Sequence, residues 1–104
     1  MLYLIYCEDR PESGALRAAT RETHLAYLAR HRDILVLGGA LLAEDGTTRI
    51  GSSFVINVPS RAAAEEFSRN EPFTAAGLFK DVRIRRMRRG QWNPEAAPAT
   101  AEGN

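Results

Sequence analysis

The amino-acid sequence predicts an α+β domain built from a four-stranded antiparallel sheet with two helices packed on one of its faces. Two observations predict this class. Four short segments are rich in β-branched, aromatic and aliphatic residues, and two longer segments between them contain no helix-breaking residue. The segments follow one another in the order βαββαβ, which is typical of the ferredoxin-like sandwich.

The first half of the domain is predicted to be a strand followed by a long helix. The run "LYLIYC" at 2–7 predicts the strand, and the polar stretch "EDRPESG" after it predicts a loop. From about Ala15 to Arg32 no residue breaks a helix. The residues that recur there at helical spacing are Leu16, Ala19, Thr23, Ala26 and Tyr27.

The second half supplies three strands and the second helix. The stretch "DILVLGGALLAEDGTT" predicts a strand with a kink at Gly38–Gly39, and the strand leads into a turn at Asp45–Gly46. The run "GSSFVINV" at 51–58 predicts the third strand, and "KDVRIRRMRR" predicts the fourth. Between them, Ser60 is a favourable N-cap for a helix over "RAAAEEFSRN".

Length and composition predict one domain. We expect residues 1–90 to form it and the Ala- and Pro-rich tail, 91–104, to be largely disordered. The 14 basic and 13 acidic residues give a net charge of +1, which predicts no nucleic-acid or membrane partner. The single cysteine, Cys7, suits a reducing compartment. No signal peptide and no apolar run of about 20 residues is recognisable, so we expect a cytoplasmic protein.

The strands also predict a homodimer. Leu2, Leu4 and Tyr6 face one side of the first strand, and the segment 34–37 is apolar on both of its faces. Because two helices cover only one face of the sheet, the other face would expose a large apolar patch, and such patches usually mark an interface. We therefore expect two copies to join through their sheets. Whether larger assemblies form is left open.

A stripe of polar residues on the first helix could carry chemistry. Arg17, Arg21, His24, Leu28 and His31 are spaced by four, three, four and three residues, so they share one side of the helix. A histidine there could act as a general acid or base, and the arginines could bind a carboxylate or phenolate. The alternative is that these polar side chains lie on the outer face of the helix, exposed to solvent.

The stretch "RNEPFTAAGLF" places Glu71 at a joint between two helices. Pro72 disfavours the α region for the residue before it, and proline suits the first position of a new helix. The backbone therefore aims the Glu71 side chain. A surface glutamate at a helix end is the plainer interpretation.

Several runs together resemble the YciI-like (YCII-related) family. They are "ALRAATRETHLAYL", "LVLGGALL", "GSSFVI" and "NEPFTAAGLFKDVRIRRMR", and they cover nearly the whole chain up to about residue 90. The family is similar in fold to muconolactone isomerase and other dimeric α+β barrel proteins. The resemblance thus implies the same dimeric fold for this chain.

The resemblance also implies roles for individual residues. His24 and Glu71 match the histidine and the acid that form the family's catalytic dyad, and Arg17 and Arg21 match arginines that line the same pocket. The family usually has aspartate where this chain has Glu71, and the longer side chain has more reach and more rotamers. Ser52 is expected to line the pocket with its hydroxyl, although it also suits a plain strand start.

Two functions follow from this assignment. The first is a lyase or isomerase that moves a proton on a small, anionic, cyclic substrate, with His24 as acid or base, Glu71 as its partner and no cofactor. The carboxylate would fix the imidazole tautomer and stabilise the imidazolium. The second is a non-catalytic dimer that binds a small ligand in the same pocket.

RNA binding is a third possibility because the RNA-recognition motif shares the βαββαβ order. That motif needs stacking aromatics on the third strand. Here Ser52 stands where the first aromatic belongs, and the arginines of the fourth strand are balanced by acids elsewhere. The sequence therefore predicts no RNA partner.

Three other features predict no chemistry. Cys7 in an apolar strand is expected to be a small buried hydrophobic residue, and His31 at a helix end is expected to be structural. No group of histidines, cysteines or acids has the spacing of metal ligands, so no metal site is predicted.

Overall fold

The computed structural model describes all residues, 1–104. Its elements are β1 (Leu2–Asp9), α1 (Gly14–Arg30), β2 (Leu35–Leu42), β3 (Arg49–Asn57), α2 (Arg61–Asn70), α3 (Pro72–Ala75) and β4 (Phe79–Met87). The four strands form one antiparallel sheet in the order β2-β3-β1-β4, with the helices on one side. The predicted fold class is confirmed, and the short α3 is an addition to it.

The core lies between the sheet and the helices, and β1 shows why. Tyr3, Ile5 and Cys7 alternate toward the helices and are buried, whereas Leu2 and Leu4 on the other face are half-buried. The other buried apolar side chains are Tyr27, Phe54, Ile56, Val58, Ala64, Phe67, Phe73, Leu78 and Phe79. The hydrophobic alternation that predicts β1 therefore also predicts its buried face.

Helix α1 buries a different face from the one that its apolar residues indicate. Its buried side chains are Arg17, His24 and Tyr27. The exposed members of the apolar repeat are Leu16, Ala19, Thr23 and Ala26. The alternative of a solvated polar stripe is wrong for Arg17 and His24, because both find buried partners, and it holds for the exposed Arg21.

The joint between α2 and α3 has the predicted backbone. Ser60 Oγ accepts a hydrogen bond from Ala63 N at 3.1 Å and caps the start of α2. Glu71, with φ −64° and ψ 128°, is extended between the two helices, and Pro72 is the first residue of α3. The Glu71 side chain also caps α3, because Oε2 accepts a hydrogen bond from Thr74 N at 3.4 Å.

The C-terminal tail lies beside β2. It contains a 3₁₀ turn at Pro94–Ala96 and an isolated bridge between Thr100 and Gly103. Ala101 reaches a cavity between α1 and the sheet. Disorder of the tail past Trp92 stays a prediction.

None of the helices has the length and the apolar character that a bilayer span requires. The cytoplasmic location expected from the sequence stays a prediction.

Candidate active site

His24 and Glu71 are in direct contact beneath α1. Helix α1 supplies the histidine, and the joint before Pro72 supplies the acid, which is 1% exposed. Glu71 Oε1 hydrogen-bonds to Nδ1 of the His24 ring, whereas the other ring nitrogen, Nε2, makes no hydrogen bond within the protein and is not fully buried. A carboxylate on Nδ1 holds the proton on that nitrogen and leaves Nε2 free to exchange one. The two residues thus have the geometry of an acid-base pair, while their catalytic role stays a prediction.

Phe73 fixes the orientation of the histidine ring. Its ring stacks on His24 with 3.9 Å between the ring centres and 17° between the planes. The guanidinium carbon of Arg17 lies 4.6 Å from the centre of the same Phe73 ring. The histidine is therefore held by the carboxylate at one nitrogen and by an aromatic surface along its face.

Arg17 forms a second buried pair, with Asp9 at the end of β1. Its Nε donates to Asp9 Oδ2 at 2.8 Å, and its Nη2 donates to Asp9 Oδ1 at 2.9 Å. Nη2 also donates to Gly51 O at 2.8 Å and Ser52 Oγ at 3.0 Å. Four bonds from two nitrogens tie α1 to β1 and β3, so only Nη1 is left for the predicted contact with an anion.

Gly51 must be glycine for this arrangement. A Cβ atom there would lie 2.2 Å from the carbonyl oxygen of Cys7 in the neighbouring strand. The two strands approach closely at this point, and the Gly51 carbonyl remains available to Arg17.

One cavity of about 280 Å³ brings most of the predicted residues together. It is bounded by α1, β2, β3, Phe73 and one residue of the tail. The lining residues central to its chemistry are Arg17, Arg21, His24, Arg49, Ser52 and Phe73. Glu71 lies behind His24 and does not line the cavity. Gly38 and Gly39 form part of the wall and leave it without bulky side chains.

Three residues of this site, Asp9, Arg49 and Phe73, were not predicted from the sequence. Asp9 is in phase with Tyr3, Ile5 and Cys7, so an inward side chain could have been predicted had the strand been extended to it. Phe73 directly follows the Glu71–Pro72 pair, which could have drawn attention to it. Arg49 carries no such signal, because the third strand was expected to begin at Gly51.

Cys7 and His31 lie outside the chemistry. Burial, followed by the charges of Glu71 and Asp9, raises the pKa of the Cys7 thiol to about 12, so the thiol is neutral at physiological pH. His31 Nδ1 hydrogen-bonds to Tyr27 O at 2.7 Å, and its ring packs against Tyr27 and Phe67. No three histidine, cysteine or acidic side chains cluster as metal ligands.

Sequence comparison relates the chain to one family. The model of the YCII-related domain matches residues 1–88. Protein YciI of Escherichia coli O6:H1 and Protein YciI of Shigella flexneri are each 30% identical over 92 residues, covering 82% of this chain and 94% of theirs. An uncharacterised protein of Haemophilus influenzae is 27% identical over 92 residues.

Two solved structures are similar. One is 5-chloro-2-hydroxyhydroquinone dehydrochlorinase (TftG) of Burkholderia phenoliruptrix in complex with 2,5-dihydroxybenzoquinone. It is 35% identical, with a TM-score of 0.82, and the match covers 86% of this chain and 96% of that one. An antibiotic biosynthesis monooxygenase is 17% identical with a TM-score of 0.52 over 85% of this chain, and it supports the fold alone.

Proposed function

The chain belongs to the YCII-related family, and we propose that it is a lyase or isomerase that transfers a proton on a small cyclic, anionic substrate without a cofactor. The observation that carries the proposal is the His24–Glu71 contact at the cavity wall. Nε2 is the unpartnered atom of this pair and would exchange the proton. The similarity to a dehydrochlorinase supports a ring substrate that bears hydroxyl groups.

The proposed step needs only these two side chains. Neutral His24 takes a proton at Nε2 from a hydroxyl group or an acidic carbon of the ring, while Glu71 stabilises the imidazolium that results. In an elimination, the freed electron pair forms a new double bond and the leaving group departs with its bonding pair. In an isomerisation, His24 returns the proton to another atom of the same molecule.

The cavity suits such a ligand. Its volume is near the lower end of the range for small-molecule sites, and Leu25, Leu28 and Phe54 add an apolar wall beside the polar groups. A flat ring could lie against this wall with one hydroxyl group at His24.

The proposal is tested by turnover. The protein is incubated with 5-chloro-2-hydroxyhydroquinone and with a panel of hydroxylated cyclic acids and lactones, and chloride release and ultraviolet absorbance are followed. We expect His24→Gln to lose about 10²–10⁴-fold in rate. His31→Gln is the matched control, because this second histidine does not line the cavity. Equal rates in His24→Gln and the unmodified protein would contradict the proposal. Binding without turnover of any compound would favour the non-catalytic module.

We further propose that the functional unit is a homodimer joined through the open face of the sheet. Tyr6 on this face is 40% exposed, and Leu4 and Val55, which lie opposite each other on β1 and β3, are half-buried. Sedimentation of the unmodified protein should give a dimer, and Tyr6→Glu should give a monomer because it places a charge within the apolar contact. Ala62→Glu, on the exposed side of α2, should remain dimeric.

A further inference from the structure

The charges around the cavity are unevenly compensated. Asp9 is paired with Arg17, and Glu71 is paired with His24. Arg21 and Arg49 also line the cavity, are exposed, and take part in no ion pair. The cavity therefore has two guanidinium groups whose charge no carboxylate of the protein offsets by direct contact.

These two arginines come from different elements. Arg21 lies on α1 one turn before His24, and Arg49 is the first residue of β3. Both are exposed while His24 is 8% exposed, so they lie at the solvent side of the cavity and the histidine lies deeper. A ligand that reaches His24 enters a cavity that both of these guanidinium groups line.

We propose that Arg21 and Arg49 form a separate anion subsite that binds a carboxylate on the substrate ring, away from the atom that exchanges a proton with His24. This inference rests on the proposed function for the ring and adds a second acidic group to it. Guanidinium groups bind carboxylates through paired N–H donors, and an anion between them also relieves their mutual repulsion. Arg49 is then a specificity-determining residue.

The tail supplies an indirect argument for an anion at Arg49. Glu102 and Arg49 line a second cavity that adjoins the first along Gly38, Gly39 and Ala40. The carboxylate of Glu102 makes no ion pair with Arg49. The arginine is thus left available to a ligand from outside the chain.

The test compares two ligands that differ by one carboxylate, 2,5-dihydroxybenzoate and hydroquinone. Calorimetric titration of the unmodified protein should show at least about tenfold tighter binding of the acid, a preference that weakens as salt is added. Arg21→Gln and Arg49→Gln should each weaken binding of the acid severalfold more than they weaken binding of hydroquinone. Arg69→Gln removes an exposed charge on α2 outside the cavity and should change neither.

The readout is equilibrium binding, so it separates the subsite from the proton transfer. His24→Gln should keep the preference for the acid even though it slows turnover by the factor of about 10²–10⁴ expected above. If turnover is absent in every protein and the preference persists, the proposed function fails and the subsite stands. Equal affinity for both ligands, no binding of either, or equal weakening of both in Arg49→Gln would overturn the subsite.

Discussion

Two buried pairs of a basic side chain and a carboxylate lie beneath helix α1, and both basic side chains contact the ring of Phe73. In one pair Arg17 meets Asp9, and in the other His24 meets Glu71. A guanidinium keeps its proton at any physiological pH, so the first pair holds structure and exchanges no proton. An imidazole can change its charge, so the second pair can exchange a proton with a ligand. Similar placement thus serves stability in the first pair, and in the second it supports the proposed proton transfer.

The largest effect that tests this difference between the two pairs is expected when the carboxylate of Asp9 is removed. Asp9→Ala leaves Arg17 buried without its carboxylate, so the free energy of unfolding should fall by about 3–5 kcal/mol. Urea denaturation measures this. Glu8→Ala is the matched control, since Glu8 is exposed in its contact with Lys80 at 3.4 Å, and it should cost less than about 1 kcal/mol. A loss of under about 1 kcal/mol for Asp9→Ala would show that the Arg17 pair is not structural.

The second test changes Glu71, the carboxylate of the other pair. Glu71→Gln can still hydrogen-bond to Nδ1 of His24 but cannot offset the charge of an imidazolium. With any substrate found in the turnover screen, kcat/KM should fall about 10²-fold. Glu71→Asp carries the residue that the family usually has, and it should restore most of the rate. Full activity in Glu71→Gln would contradict a role for the carboxylate.

A smaller effect on stability is expected from Cys7, because the charges of both carboxylates, Glu71 and Asp9, act on the pKa of its thiol. Burial, then Glu71, then Asp9 raise the pKa of its thiol to about 12. The unfolded chain loses this proton near pH 8.5, so above that pH the folded state binds more protons than the unfolded state. Stability should therefore fall by about 1.4 kcal/mol per pH unit from about pH 9 until the folded thiol ionises.

The check is the pH dependence of urea unfolding in the unmodified protein and in Cys7→Ala. In Cys7→Ala the free energy of unfolding should lack the decrease with pH that the thiol causes, although removing the thiol lowers stability at every pH. Parallel slopes in the two proteins between pH 9 and 10.5 would contradict the raised pKa.

The fold could be predicted from the sequence because its signals are local. Alternation along β1, the Ser60 cap and the Pro72 constraint on Glu71 each depend on a few neighbouring residues. The buried face of α1 could not be predicted from the sequence, because hydrophobic periodicity assumes that charged side chains point to water. Arg17 and His24 point inward because each meets a carboxylate from another element, Asp9 on β1 and Glu71 before α3. Such pairing appears only in the tertiary structure.

The residues of the candidate site also differ in whether they could be predicted from the sequence. The family resemblance pointed to His24, Glu71, Arg17, Arg21 and Ser52, but it did not show that Arg17 is occupied by Asp9. Arg49 joins the cavity only because β3 begins two residues before its predicted start and runs beside β2 there. A residue of this kind becomes visible when the strands are placed side by side.

The most direct test of the central claim is nitrogen-15 NMR of the His24 imidazole, which shows which ring nitrogen carries a proton. The account predicts a proton on Nδ1, held by Glu71, and an unprotonated Nε2 that is available to substrate. The Nδ1 signal should change in Glu71→Gln and remain unchanged in His31→Gln. A proton on Nε2 and none on Nδ1 would contradict the account, because Glu71 would then not hold the tautomer in which Nε2 can take a proton from substrate.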